Sequence, residues 1–187
     1  MFRNILVAVD GTSTSQRGLK VATELALDQK ATLHVVHVVD NMIVVPMETP
    51  YAHAGYIDSM LDALRDTGRK LLAKAEAFAR QHGVDARTHL AESKGNGVAT
   101  QLLSEAKRRK ADVIVLGTHG RRGLRRLLLG SDAEMVMRES RVPVLLVRTP
   151  ERTGPARPAA LPKATGRAPR RTAASRKGTP AARAGRG

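Results

Sequence analysis

Gly117-Thr118-His119-Gly120, followed after nine residues by Gly130-Ser131, is the part of this chain most able to do chemistry. It follows an apolar run, Ala111-Asp112-Val113-Ile114-Val115-Leu116, and leads into a helix-like segment. Glycines let the backbone approach an anion closely and turn its amides toward it. A helix start adds unpaired N–H groups and the positive end of a dipole. The chemistry implied is the holding of phosphate. The spacing Gly-x2-Gly-x9-Gly-Ser is long and specific, and is neither Gly-x4-Gly-Lys-Ser/Thr nor Gly-x-Gly-x-x-Gly.

Each of these residues has a plainer use. Ser131-Asp132-Ala133-Glu134 reads as a capping box, with the Ser131 hydroxyl bonding the N3 amide and Glu134 reaching back. A cap and an anion site share one helix start, so the same hydroxyl is expected to reach a phosphate. Asp132 suits the helix dipole and repels an anion unless a divalent metal lies between. Arg121, Arg122, Arg125 and Arg126 either neutralise phosphate or form a solvated basic face. The first two are expected at the site, through backbone amides. His119 reads as a loop filler, and His34, His37, His53, His82 and His89 lack metal-ligand spacing. No nucleophile–base pair, Walker-type lysine or arginine finger stands beside the motif, which does not indicate efficient phosphoryl transfer.

The elements that position the loop follow from hydrophobic periodicity. Short apolar strands are expected over 3–9, 32–39, 113–116 and 143–148, with a more polar strand near an edge over 84–90. Between them, helical spacing runs after Thr12, Ser13 or Ser15, any of which can cap, and over 56–82, 97–109 and 131–140. Gly83 is placed to end the long helix. Residues 40–54, with Pro46 and Pro50, read as a long loop. Strict alternation of strand and helix predicts a parallel sheet with helices on both faces, an α/β fold.

Residues 113–147 resemble the C-terminal half of the universal stress protein family, nucleotide-binding class. Asn4-Ile5-Leu6-Val7-Ala8-Val9-Asp10-Gly11-Thr12 and Leu33-His34-Val35-Val36-His37-Val38 resemble its first two strands. The likeness spans roughly 1–149. It implies a three-layer α/β/α architecture with a five-stranded parallel sheet, order 3-2-1-4-5, of the adenine nucleotide alpha hydrolase-like kind. In that order Asp10 and Gly117 end neighbouring strands at the topological switch, where such folds bind ligands. It also implies ATP as ligand with Mg or Mn. Ala8 would border the base or ribose, Val38 would offer backbone groups to adenine, and Asp10 would lie near the metal-bridged phosphates. Gly117, Thr118, His119, Gly120, Arg121, Arg122, Gly123, Gly130, Ser131 and Asp132 would surround those phosphates. The expected role is an ATP-binding stress-response protein with nucleotide as a regulatory ligand. A slow ATPase or autophosphorylating enzyme on the same site stays open.

The net charge of +15 is unevenly spread. Residues 151–187 hold ten Lys/Arg against one acid, and the other 22 Lys/Arg face 16 acids in 1–150. The domain is therefore expected over 1–150. Residues 151–187 are expected to be a disordered basic tail, too poor in apolar residues to offset ordering entropy. That tail leaves open nonspecific binding of nucleic acid or polyphosphate. With two Tyr, two Phe and no Trp, base-stacking platforms are not expected. Absent cysteine excludes disulfide and thiol chemistry. No signal peptide or membrane span is read, and a cytoplasmic protein is expected. Val142-Pro143-Val144-Leu145-Leu146-Val147 is apolar and would lie on a sheet edge, a template for a homodimer.

Overall fold

The computed structural model describes residues 1–41, 54–93, 95–118 and 129–148. Most of the 40–54 loop, His53, the loop residues His119, Gly120, Arg121, Arg122, Gly123, Arg125 and Arg126, and the 151–187 tail lie outside the described residues. The elements are β1 (Asn4–Ala8), α1 (Ser13–Gln29), β2 (Thr32–Val39), α2 (Ala54–Gln81), β3 (Ala86–Glu92), α3 (Val98–Arg108), β4 (Val113–Gly117), α4 (Ser131–Glu139) and β5 (Val144–Val147). All four strand pairings are parallel, and the order is β3-β2-β1-β4-β5, as the alternation and the resemblance implied.

Successive side chains of the central strands fill two separate cores. Ile5, Val7, Leu33, Val35, Val113 and Val115 pack on one face against α1 and α2. Leu6, Val36, Ile114 and Leu116 pack on the other against α3 and α4. This is the three-layer arrangement expected of apolar strands buried on both faces. Burial along α2 rises toward its C-terminus, where Leu72, Ala75 and Ala79 are buried; Met60, expected on the same apolar face, is exposed. Gly83 ends this helix with φ 78, while Gly83 N–H donates to Arg80 and Val84 N–H to Ala79.

Asp112 ties the beginning of β4 to β1. Its Oδ2 accepts from the Arg3 and Asn4 backbone amides at 2.6 and 2.8 Å, and those bonds, that of Asn4 first, hold its carboxyl below the usual range. At the far end of the strand, a Cβ added to Gly117 would lie 2.9 Å from the Thr14 carbonyl carbon and 3.0 Å from the Ser15 nitrogen. Only glycine lets β4 end this close to the first turn of α1. One turn on, a Cβ on Gly18 would meet the Gly117 nitrogen at 3.6 Å, so two glycines face each other across the contact.

A polar cluster sits on the α3 face of β2 and β3. The His34 and His89 rings stack with centroids 5.4 Å apart, and Nδ1 of His34 lies 3.1 Å from Nε2 of His89. Glu105 of α3, 1% exposed, is held by Arg108 and by Arg109, whose Nε and Nη2 donate to Oε2 at 3.2 and 3.1 Å. Periodicity alone does not distinguish a buried glutamate of this kind from a surface one. Burial, then the nearby Arg109 and Arg87, lowers the His34 pKa. Burial, then Arg109 and His34, pushes His89 down to about 4, with Glu105 opposing.

Two outcomes follow. Gly117→Ala should destabilise the domain by about 1–3 kcal/mol, because the backbone of Thr14 and Ser15 must move. Urea unfolding checks this, and an unchanged midpoint at constant slope would refute the tight contact. The histidine pair makes stability pH-dependent. An unfolded chain takes up these protons near pH 6.5, while folded His89 resists until about pH 4. Protons therefore favour the unfolded state between those values, and stability falls as pH is lowered through them. The effect is on the order of 1 kcal/mol once solvent screening of the half-buried ring is allowed for. Melting temperatures measured across that window should show a shallower slope in the His34→Gln/His89→Gln double variant than in the parent.

Candidate functional site

The carboxyl ends of β1, β2 and β4 and the start of α4 form one edge of the structure. Val7 pairs with Val115, which puts Gly117 across from Val9 two positions on, beside Asp10. Ala8 pairs with Val36, which puts Val38 two residues beyond it on the next strand. Ala8 and Val38 are part-buried on the α3 and α4 face. Ala8, Asp10, Val38, Gly117, Thr118, Gly130, Ser131 and Asp132 thus all belong to the carboxyl edge of the sheet or to the helix that starts there.

Thr118 fixes the base of the loop. Its N–H donates to the Val147 carbonyl at 3.0 Å, which continues the β4–β5 ladder by one residue. Its carbonyl accepts from Gly130 N–H at 2.8 Å. Residues 118 and 130 are therefore held face to face. Thr118 itself is 3% exposed. Its backbone serves the fold, and the loop inherits a fixed point of departure.

The helix that follows departs from the expected capping box. Gly130 is the N-cap, with φ −72 and ψ 149, and Glu134 N–H donates to its carbonyl at 2.9 Å. No side chain caps the helix. Ser131 is already the first helical residue, so its hydroxyl is one position too late to reach back over the N3 amide. It is exposed and, among the described residues, carries no hydrogen bond of its own. The sequence motif is the same, but the frame is shifted by one, and the shift releases the hydroxyl from helix duty. Asp132 and Glu134 occupy the first turn, where they favour the dipole.

Across the edge, Asp10 builds the first turn of α1. Its Oδ1 accepts from Thr12 N–H at 2.9 Å and from the Thr12 hydroxyl at 2.6 Å. Gly11 between them has φ 86, a conformation that favours glycine. Thr12 is the N-cap, its Oγ1 accepting from Ser15 N–H at 3.2 Å, and Asp10 N–H donates to the Ser15 hydroxyl at 3.3 Å. Thr12 and Thr14 hydroxyls lie 3.1 Å apart. Asp10 thus serves a turn, and that turn comes with a hydroxyl–carboxylate pair that the residue types alone did not reveal. The signal was available in Asp-Gly-Thr, a turn dipeptide followed by a hydroxyl residue.

The chain was compared with known proteins. The model of the Universal stress protein family matches residues 1–148. A universal stress protein of Bacillus subtilis, YxiE, is 34% identical over 151 residues, covering 79% of this chain and all of the relative. A crystal structure from the same family in Burkholderia pseudomallei is 36% identical, with TM-score 0.61, over 77% of this chain and 94% of that one. A universal stress protein crystallised in complex with cAMP is 25% identical, with TM-score 0.56, over 78% of this chain and 97% of that one.

The two helix starts at this edge should respond differently to loss of a hydroxyl. Thr12→Ala removes a working cap and should cost about 1 kcal/mol. Ser131→Ala removes a hydroxyl with no structural partner and should cost less than about 0.5 kcal/mol. Parallel urea titrations compare them. Equal losses would return Ser131 to the role of cap.

Proposed function

The chain belongs to the universal stress protein family, and from that premise we propose that its domain binds ATP as a regulatory ligand in stress response. The observation that carries this reading is the bond from Gly130 N–H to Thr118 C=O, with the uncommitted Ser131 hydroxyl beside it. In this reading the start of α4 and the Ser131 hydroxyl would meet one anion, the combination that favours phosphate. The related protein in complex with cAMP supports an adenine nucleotide. In this reading Ala8 and Val38 face the adenosine, Gly117 to Gly123 and Gly130-Ser131-Asp132 surround the phosphates, and Asp10 faces the phosphate-bound metal.

Among the described residues no three His, Cys, Asp or Glu side chains converge on a metal. The donors that the site does offer, the carboxylates of Asp10 and Asp132, are hard oxygen ligands. They suit Mg or Mn carried in on phosphates rather than a cage built by protein alone. A bound divalent ion would supply charge neutralisation between Asp132 and the phosphates, and Asp10 would hold that arrangement from the opposite strand end.

Regulatory binding is favoured over turnover because the Thr12 hydroxyl is already committed. It donates to Asp10 and accepts from Ser15 N–H, as a cap does. A slow ATPase or autophosphorylating enzyme on the same site is the second reading. A homodimer through β5 is part of the proposal; the strand lies at the sheet edge with Leu145 exposed. Residues 1–150 would be the working domain, and 151–187 an electrostatic contact for nucleic acid or polyphosphate.

Calorimetry with ATP and Mg tests the site. Gly120→Val and Gly130→Val should each weaken binding by roughly tenfold or more, a loss of about 1.4 kcal/mol or greater, because a side chain keeps the backbone from the phosphates. The backbone of Gly130 is extended, so valine fits there without left-handed strain. Full affinity in both folded variants would overturn the assignment.

A further inference from the structure

A second cleft, of about 530 Å³, opens at the opposite edge of the sheet. It lies between the end of α3 and the connection from α4 to β5, and its floor is Leu103, Ala106, Ile114 and Val142. Ala111 and Val142 stand just before β4 and β5, so the cleft is at the amino ends of those strands, away from the glycine loop. Its size falls in the range of small-molecule sites, about 300–1,000 Å³.

Three cations from two separate segments line it: Lys107 and Lys110 at the end of α3, and Arg141 after α4. None of the three has a carboxylate within ion-pair distance among the described residues. The lone acid in the lining, Glu139, is paired with Arg138 at 3.4 Å. Like charges gathered around one cleft favour an incoming anion. Lys110 closes α3 in the left-handed region, φ 51, with its N–H on the Lys107 carbonyl, which brings two lysines three residues apart to one mouth.

From the apolar floor and cationic rim we propose that this cleft binds an amphipathic carboxylate, a small molecule with an apolar body and one anionic head. The apolar body would lie on Leu103 and Val142 at the mouth of the lining, and the head would meet Lys107, Lys110 and Arg141. The chain's own segment 151–187, with ten Lys/Arg against one acid, has the wrong charge to occupy it. The proposal does not depend on nucleotide binding, since none of the lining residues is among those of the proposed nucleotide site.

The test uses the full chain with decanoate as probe, decanol and inorganic phosphate as controls, and amide chemical shifts to locate binding. Decanoate should shift the amides of Leu103, Ala106 and Val142 and leave Gly130 and Ser131 unmoved. Lys107→Gln/Arg141→Gln should weaken it roughly tenfold or more, the loss of a charge-assisted contact, while Lys107→Arg retains it. Ser104→Trp keeps every charge and fills the exposed lining, and should also abolish binding. Unchanged melting temperature certifies the folding of each variant, all three positions being exposed. Equal binding of decanol would make the cleft merely apolar, and equal binding of phosphate would make it merely basic. Either result overturns the proposal, as does decanoate that fails to bind at millimolar concentration or shifts the glycine loop instead.

Discussion

The contact between the end of β4 and the first turn of α1 sets the geometry of the proposed nucleotide site. With no side chain at Gly117, the β4 backbone comes within van der Waals distance of Thr14 and Ser15. That closeness puts the Asp10–Thr12–Ser15 turn beside the residue from which the glycine loop departs. One step later, Thr118 is bonded to Val147 on one side and Gly130 on the other, so β5 and α4 are fixed to the same point. A larger residue at 117 would displace both halves of the edge at once. Gly117 is therefore required by packing, and its place in a phosphate motif does not by itself mean that its amide meets phosphate.

Burial on both faces explains why chemistry is confined to strand ends. Ile5, Leu6 and Val7, and Val35 and Val36, are fully buried, leaving the middle of the sheet without room for a ligand or a free polar group. The polar side chains admitted into the sheet are satisfied locally. His37 Nδ1 lies 2.6 Å from the Val9 carbonyl, and His34 meets His89. His34 and His37 are buried with partners, and His89 is half-buried beside His34.

Architecture was highly legible in the sequence because alternation and period are set by the two apolar cores, which tolerate few exceptions. The spans of β2, β4 and α4 fell within one residue of the observed elements. Details that depend on one dihedral or one partner were not legible. Whether Gly130 or Ser131 caps α4 turns on which residue keeps an extended ψ, and Ser-x-x-Glu is compatible with both frames. Burial of Glu105 depends on Arg108 and Arg109 closing over it, which no periodicity encodes. The Thr12–Asp10 bond needed the turn geometry of Gly11. The cationic cleft was invisible for another reason: Arg141 is far in sequence from Lys107 and Lys110, and each group reads as ordinary surface charge.

A parallel sheet also forces its two edges to recognise anions differently. Every crossover helix starts at the carboxyl edge and ends at the amino edge, so its dipole presents positive ends to one and negative ends to the other. At the carboxyl edge the start of α4 carries the positive end of its dipole, and Asp132 and Glu134 sit in that first turn. At the amino edge the last carbonyls of α3 repel an anion, and any affinity must come from side chains strong enough to reverse that field. Lys107 and Arg108 in the last turn of α3 are already favoured there by the dipole. The cations at this edge thus stabilise the helix end before any ligand arrives. Strand direction thus sets opposite electrostatic demands at the two edges, and the proposed nucleotide site and the proposed carboxylate site would draw on different groups.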